Sequence, residues 1–283
     1  MKMTRFLFVA VLFATLSLGF ASCDMENGNN PDDPQSEQND STGNNNKEEN
    51  PTPDSSKSEN NNQGESSSSV SGTENGYDYV DLGLSVKWAT CNVGADSVHH
   101  YGNYYAWGEV EPKEVYDWST YKFMDSNIND WNGVNKYTIA DGQTDGVWYD
   151  SEGNFIGDKK TILNPEDDAA FVNMGGSWRM PTYDEIEELK TKCTWTWTDN
   201  YNGTGVVGRI VTSKTNDNHI FLPFAGYRSD SDLNYARVYG RYWSISLDKY
   251  YVDFAYSCYI SSGWVDWSED YRYFGLSVRA VCE

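Results

Sequence analysis

The sequence predicts an α+β domain, and three features predict it. Two helix-initiation signals stand close together, at Asn164-Pro165-Glu166-Asp167-Asp168 and at Thr182 with Glu185 three residues on. After Cys193 the chain alternates polar and apolar residues, or runs apolar, in strand-length stretches divided by Gly, Asn and Asp. No repeat of solenoid length is present. Two helices followed by a run of antiparallel strands is the α+β arrangement.

Each element has its own justification. Residues 79–90 read as a hairpin around Gly83, closed by Cys91-Asn92-Val93-Gly94. Residues 101–121 are rich in Tyr and Trp, and 125–158 are rich in Asn, Asp and Gly without periodicity. A loop region of that length is often functional. Asn164 is the expected N-cap of the first helix, with Pro165 at its first position and acids in its first turn; Gly175-Gly176 stop it. Thr182 and Glu185 form a capping box for the second, whose apolar face is Ile186 and Leu189. Strands are expected at 194–198, 206–212, 220–224, 242–247, 250–258 and 275–282, with Trp195 and Trp197 on one face.

The N-terminus reads as an export signal over residues 1–22. Lys2 and Arg5 precede an apolar run, 6–20, too short to span a bilayer as a helix. Residues 18–23, ending Ala21-Ser22-Cys23, resemble a bacterial lipobox, so Cys23 is the expected lipidation site. Several acyl chains on that one cysteine give stable anchoring that a single chain cannot. Asp24 and Glu26 resemble the surface-export signals of Bacteroidetes lipoproteins, which places the protein at the outer membrane, lipid-anchored and surface-exposed. Residues 23–76 are acidic, polar and almost without apolar side chains, the composition of a disordered, self-repelling tether. Asp40-Ser41-Thr42 within it resembles an O-glycosylation triplet. Residues 77–283 then form one domain, large enough to bury roughly 70% of its unfolded surface.

Charge narrows the partners. With 43 acidic and 21 basic residues, net −22, the chain has no basic footprint for nucleic acid, and the domain itself is no binder of anionic membranes. Its membrane partner is reached through the lipid anchor. With Cys23 lipidated, Cys91, Cys193, Cys258 and Cys282 remain, and an even number in an exported domain predicts disulfides, in any of three pairings. No Cys-x-x-Cys spacing supports zinc, and no metal site is expected.

Several segments together carry a family resemblance: Val80-Asp81-Leu82-Gly83-Leu84, Lys87-Trp88-Ala89-Thr90-Cys91-Asn92-Val93-Gly94, Tyr104-Tyr105-Ala106-Trp107-Gly108-Glu109, Asp167-Asp168-Ala169-Ala170, Trp178-Arg179-Met180-Pro181-Thr182, Tyr242-Trp243-Ser244, and Ser277-Val278-Arg279-Ala280-Val281-Cys282. In this order they resemble the Fibrobacter succinogenes major paralogous domain family, abundant in Bacteroidetes lipoproteins, and they cover nearly the whole domain. That family belongs to the C-type-lectin-like fold, as do formylglycine-generating enzymes, whose Arg-Leu-Pro-Thr before an acidic helix looks like Arg179-Met180-Pro181-Thr182 with Asp184 and Glu185. The resemblance implies paired strands from the two ends of the domain, two helices, and a long-loop region carrying any ligand site. Many functions ride on this fold, so function rests on residues.

No catalytic constellation emerges, and the chain is not expected to be an enzyme. The oxidase relatives use a reactive cysteine pair, whereas Cys282 reads as a structural disulfide partner; a degenerate formylglycine-generating-like enzyme is the weakest reading. Calcium-dependent sugar binding calls for Glu-Pro-Asn, but Glu111-Pro112-Lys113 puts a cation at the ligand position. Residues 150–154 offer alternating oxygens without the rest of an EF-hand loop, so no cofactor is expected and calcium stays open only in some other geometry. Aromatic residues remain, at 15% of the chain. Trp264, Trp267 and Asp266, with Trp107 and Trp131 in loops, are the candidate ligand-binding residues, since Trp offers large apolar area with few rotors. Trp88, Trp178, Trp195, Trp197 and Trp243 are expected in the core, and Tyr250, Tyr251, Tyr256 and Tyr259 on strand faces. The expected function is extracellular binding, with adhesion to glycan or host matrix ahead of a structural or protein-interaction role in the envelope.

Overall fold

The computed structural model describes residues 70–283; the export signal, Cys23 and most of the tether lie outside the described residues. The first element, β1 (Gly72–Glu74), lies upstream of position 77, inside the segment expected to be tether. It pairs with β2 (Tyr77–Val80) across Asn75-Gly76, both left-handed (φ 46° and 85°). A two-residue hairpin loop of type I′ needs positive φ at both positions, which Asn-Gly supplies at least cost.

β2 pairs with β3 (Lys87–Ala89), and β3 with β12 (Val281–Cys282), so the two ends of the domain meet in one sheet ordered β1-β2-β3-β12. Of the run 275–282, only β12 is a strand; Leu276 and Ser277 make single bridges to Tyr105 and Tyr242.

The two helices are short. α1 (Ala169–Met174) is capped by Asp168, whose Oδ1 accepts from the amides of Ala170 (2.8 Å) and Phe171 (3.1 Å). Asn164 makes no side-chain cap, because Pro165–Asp167 form a separate 3-10 turn that carries the helix start four residues on. α2 (Tyr183–Lys192) carries the expected Thr182–Glu185 box, and Arg179 grips Glu185 with two N–H groups at 2.7 and 2.6 Å. Its Ile186 and Leu189 are buried. At Cys193 the chain passes directly into β4 (Cys193–Thr198), which pairs with β5 (Gly208–Ser213) and through it with β6 (His219–Pro223). A hairpin of β7 (Tyr227–Ser229) and β8 (Asp232–Asn234) leads to a sheet of β9 (Tyr239–Leu247), β10 (Phe254–Ser261) and β11 (Val265–Tyr271), with β10 central.

These elements correct the expected α+β, C-type-lectin-like fold class. Strand accounts for 34% of the structure and helix for 13%, in curled antiparallel sheets, so the domain is predominantly β. The physical reason is that both helices end within three turns, while polar segments such as 265–271, which lack a clean apolar face, are held as strands by β10 backbone.

Two large apolar clusters fill the interior. One gathers Trp107, Trp178, Trp243, Tyr105, Tyr116 and Tyr137 around the last strand; the other places Trp88, Val211, Ile220 and Ile260 under α2. A third, Val134, Trp148 and Val252, sits within the long-loop region. Each buried tryptophan removes about 200 Å² from water, roughly 5 kcal/mol of transfer energy before ordering costs. Two fully buried arginines tie loops to this core. Arg272 donates to Tyr121 Oη (2.9 Å) and to the carbonyls of Tyr137, Val252 and Lys136 (3.3, 2.9, 2.9 Å). Arg279 donates to Asn92 Oδ1 and to the carbonyls of Ala89, Thr90 and Phe221.

Candidate functional site

The five expected ligand-binding residues are not brought together. Trp107 is wholly buried, its indole N–H donating to the Ser244 carbonyl (2.9 Å) and its ring covered by Arg272 at 4.8 Å. It is core, because its backbone threads the centre of the domain and donates to the Arg272 carbonyl. Trp131 is half-buried, tilted against Trp148 at 5.9 Å. Trp267 stacks on Tyr183 (3.9 Å, 16°) and its indole donates to Glu187 (2.7 Å), so it fastens β11 to α2. Asp266 is exposed and pairs with Lys190 at 3.0 Å, which holds its carboxyl below the usual range. Only Trp264, 70% exposed in the β10–β11 turn, is open to a ligand. Trp197, expected in the core, is also exposed.

The disulfide expectation is corrected as well: Cys91, Cys193, Cys258 and Cys282 are free thiols. Cys193 and Cys258 pack as apolar side chains in the cluster under α2, Cys282 in the other cluster, and Cys91 is half-buried. Burial pushes the Cys193 thiol up to about 11 and Cys258 to about 12, the reverse of what a thiolate nucleophile needs. In the acidic loop, Asp150 Oδ1 accepts from the amides of Glu152 and Asn154 (2.9 and 2.8 Å), so those oxygens brace a turn. Among the described residues no three His, Cys, Asp or Glu side chains converge as metal ligands.

Two further surfaces stand out among the described residues. A cleft of about 490 Å³ is lined by Tyr77, Asp96, His100 and Asn173, but its polar groups bind one another. His100 Nδ1 lies 2.6 Å from Asp96, Tyr77 donates to the Asn173 carbonyl, and Asn173 Nδ2 donates to the carbonyls of Val110 and Ala169.

The second surface lies at the end of the β9–β10–β11 sheet and was missed by sequence reasoning. Tyr235 and Tyr239 stack at 5.0 Å, Tyr227 lies nearly parallel to both at 6.2 and 6.4 Å, and Tyr259 leans on Tyr239 at 5.1 Å. Phe274 extends the row against Tyr227 at 4.9 Å. Register explains the gathering. Ser261 of β10 pairs with Tyr239 of β9, Tyr259 with Arg241, and Ser261 also receives the turn through Trp264, so Trp264 stands at the same end of the sheet. Tyr235 is 56% exposed and takes a left-handed backbone (φ 55°), as does Arg237 (φ 70°). A bulky residue there is strained by about 1–3 kcal/mol and persists only where its surroundings fix it. Here the Tyr235 carbonyl accepts from the amides of Val238 and Tyr239, and Gly226 lets the loop fold back so closely that a Cβ would meet the Asn234 carbonyl at 2.0 Å.

The hydroxyls set this face apart from the interior. Tyr104, Tyr116, Tyr121, Tyr137 and Tyr242 each donate to a carbonyl or carboxylate. Those of Tyr227, Tyr235, Tyr239 and Tyr259 have no hydrogen-bond partner among the described residues. Arg241 sits among them, its guanidinium 5.2, 5.4 and 5.7 Å from the rings of Tyr227, Tyr239 and Tyr259. No family model, no curated protein and no solved structure matches this chain.

Proposed function

We propose that the domain is an extracellular carbohydrate-binding module that serves adhesion from the cell surface, carried at the outer membrane on a lipidated Cys23. The export signal and lipobox support that location, as does the resemblance to the Fibrobacter succinogenes major paralogous domain family. The observation that carries the binding reading is the row of stacked tyrosines, Tyr235–Tyr239–Tyr227 with Tyr259, whose hydroxyls have no partner among the described residues. Sugar rings present apolar C–H faces and dense hydroxyls. A rigid tyrosine surface meets both, with flat apolar area and free O–H groups at low conformational cost. Trp264 at the same end of the sheet widens the surface.

The test is retention of the full chain on a broad glycan array, with calcium and again with chelator, beside the Tyr235→Ala variant. The expected result is binding that survives chelation, because the tyrosine face needs no metal, and that falls about tenfold in the variant. Binding abolished by chelator, or equal in the variant, would move the site elsewhere. No glycan retained at all would favour an envelope protein as the partner.

A further inference from the structure

We infer that the tyrosine face takes an acidic saccharide, with Arg241 receiving a sugar carboxylate; this rests on the carbohydrate reading above. Among the described residues, Arg241 is the arginine with a nitrogen both screened from solvent and without a hydrogen-bond partner. Arg179 is occupied by Glu185, and Arg272 and Arg279 donate from every nitrogen to tyrosine, asparagine or carbonyl oxygens. Arg241 is held at one corner only, where Nη1 pairs with Asp270. Asp270 is itself buried and takes the Ser257 hydroxyl on its other oxygen, so it fixes the arginine from below. Nε is screened from solvent and has no hydrogen-bond partner among the described residues.

A buried N–H left unpaired is costly, and one that persists in a native structure calls for an explanation. On a guanidinium, Nε–H and the near Nη2–H form one edge, whose spacing matches the two oxygens of a carboxylate. With Nη1 held by Asp270, that edge is the one left for a ligand. The rings around it are partly exposed, and none is tethered by its hydroxyl. A sugar ring lying on Tyr235 and Tyr239 would bring an attached carboxylate to the arginine, with small tyrosine shifts opening Nε. A chain of net charge −22 repels long polyanions, so one carboxylate on a short oligosaccharide is the favoured ligand.

The test compares ligands on the unaltered full chain by calorimetry: a trisaccharide bearing a single uronate against its carboxyl-reduced counterpart, and sialyllactose against lactose, which separates uronate from sialate as the source of the carboxylate. The inference expects at least one acidic member to bind about tenfold tighter than its neutral counterpart, with the ratio narrowing to less than about threefold in Arg241→Lys, whose ammonium cannot form the fork. Equal affinity for acid and neutral forms, or a preference untouched by Arg241→Lys, overturns the inference and leaves the carbohydrate reading standing. Failure of all four to bind, together with an array that retains no glycan, overturns both.

Discussion

Arg272 and Arg241 both lie against aromatic rings, yet one holds the domain together and the other is left partly unsatisfied near its surface. Arg272 is sealed beside Trp107 and Tyr121, and each of its nitrogens reaches an oxygen. Arg241 has three tyrosines around it, one buried carboxylate below, and an Nε without a partner among the described residues. Tyr116, Tyr121, Tyr137 and Tyr242 are hydrogen-bonded in the interior, whereas Tyr227, Tyr235, Tyr239 and Tyr259 have no hydroxyl partner among the described residues; the buried Tyr201 hydroxyl is an exception. The same residue types therefore serve two purposes, and exposure together with unmet donors tells these two clusters apart. Where every donor is met, rigidity is what the cluster provides. Where donors are left over, the cluster is ready for something else to meet them.

The largest expected effect breaks the buried side. Arg272→Met removes the bridge between Lys136, Tyr137, Val252 and Tyr121, taking their donor from three carbonyls and leaving Tyr121 only its bond to the Trp107 carbonyl. A loss of about 3–5 kcal/mol is expected, enough to leave little folded protein. Urea unfolding measures it, and a loss below about 1 kcal/mol would mean that the hub is decorative.

A smaller effect sharpens the same region. Asp253 neighbours the Arg272 hub, its carbonyl accepting the Arg272 amide, and its carboxyl is pushed up from 3.8 to about 6. Desolvation is the main cause, with Asp141 and Asp248 adding repulsion and the Arg272 charge only partly offsetting it. Above pH 6 the folded state carries the whole penalty of an ionised, half-buried carboxylate. As pH falls from about 6 to 3.8 the folded state binds the proton first, so this group's contribution to stability rises; below 3.8 both states are protonated and the penalty is gone. Asp253→Asn mimics the neutral form. It should therefore stabilise by about 1–2 kcal/mol at pH 7, allowing for solvent screening, and by nothing at pH 3.5. A gain that persists at low pH would show packing, not charge, as its origin.

How much of this was legible in the sequence follows from how local each feature is. The Thr182–Glu185 box, and the strands at 194–198 and 220–224, depend on neighbours a few residues apart and were readable. Asn75-Gly76 was equally readable as a hairpin loop, but the polar segment around it hid β1. β11 was not readable. Its Asp270 is buried only because Arg241 comes across from β9, and its Trp267 is covered only because α2 presents Tyr183 and Glu187. The candidate site failed for the same reason: Tyr227, Tyr235, Tyr239 and Tyr259 sit on separate elements, and pairing of β9 with β10 gathers them. Trp264 was visible because Gly263 precedes it and Asp266 and Glu269 follow. The four cysteines misled because an even count suggests pairing, whereas their burial was a matter of packing.

The smallest expected change in stability belongs to the exposed side, and there it divides stability from function most cleanly. Tyr235→Gly relieves a left-handed backbone that costs a bulky residue about 1 kcal/mol or more, and it gives up ring stacking on Tyr239 worth a comparable amount. The two terms oppose each other, and the extra freedom of glycine in the unfolded chain adds a few tenths. The net change should lie within about 1 kcal/mol, and the melting temperature should barely move. Saccharide binding should nevertheless fall about tenfold or more, because the outermost ring of the row is gone. Strain retained at a position where its removal costs almost no stability, but does cost binding, is strain kept for a ligand. A glycine variant that binds as well as the parent would instead make Tyr235 an accident of the loop, and would shift the site toward Tyr259 and Trp264.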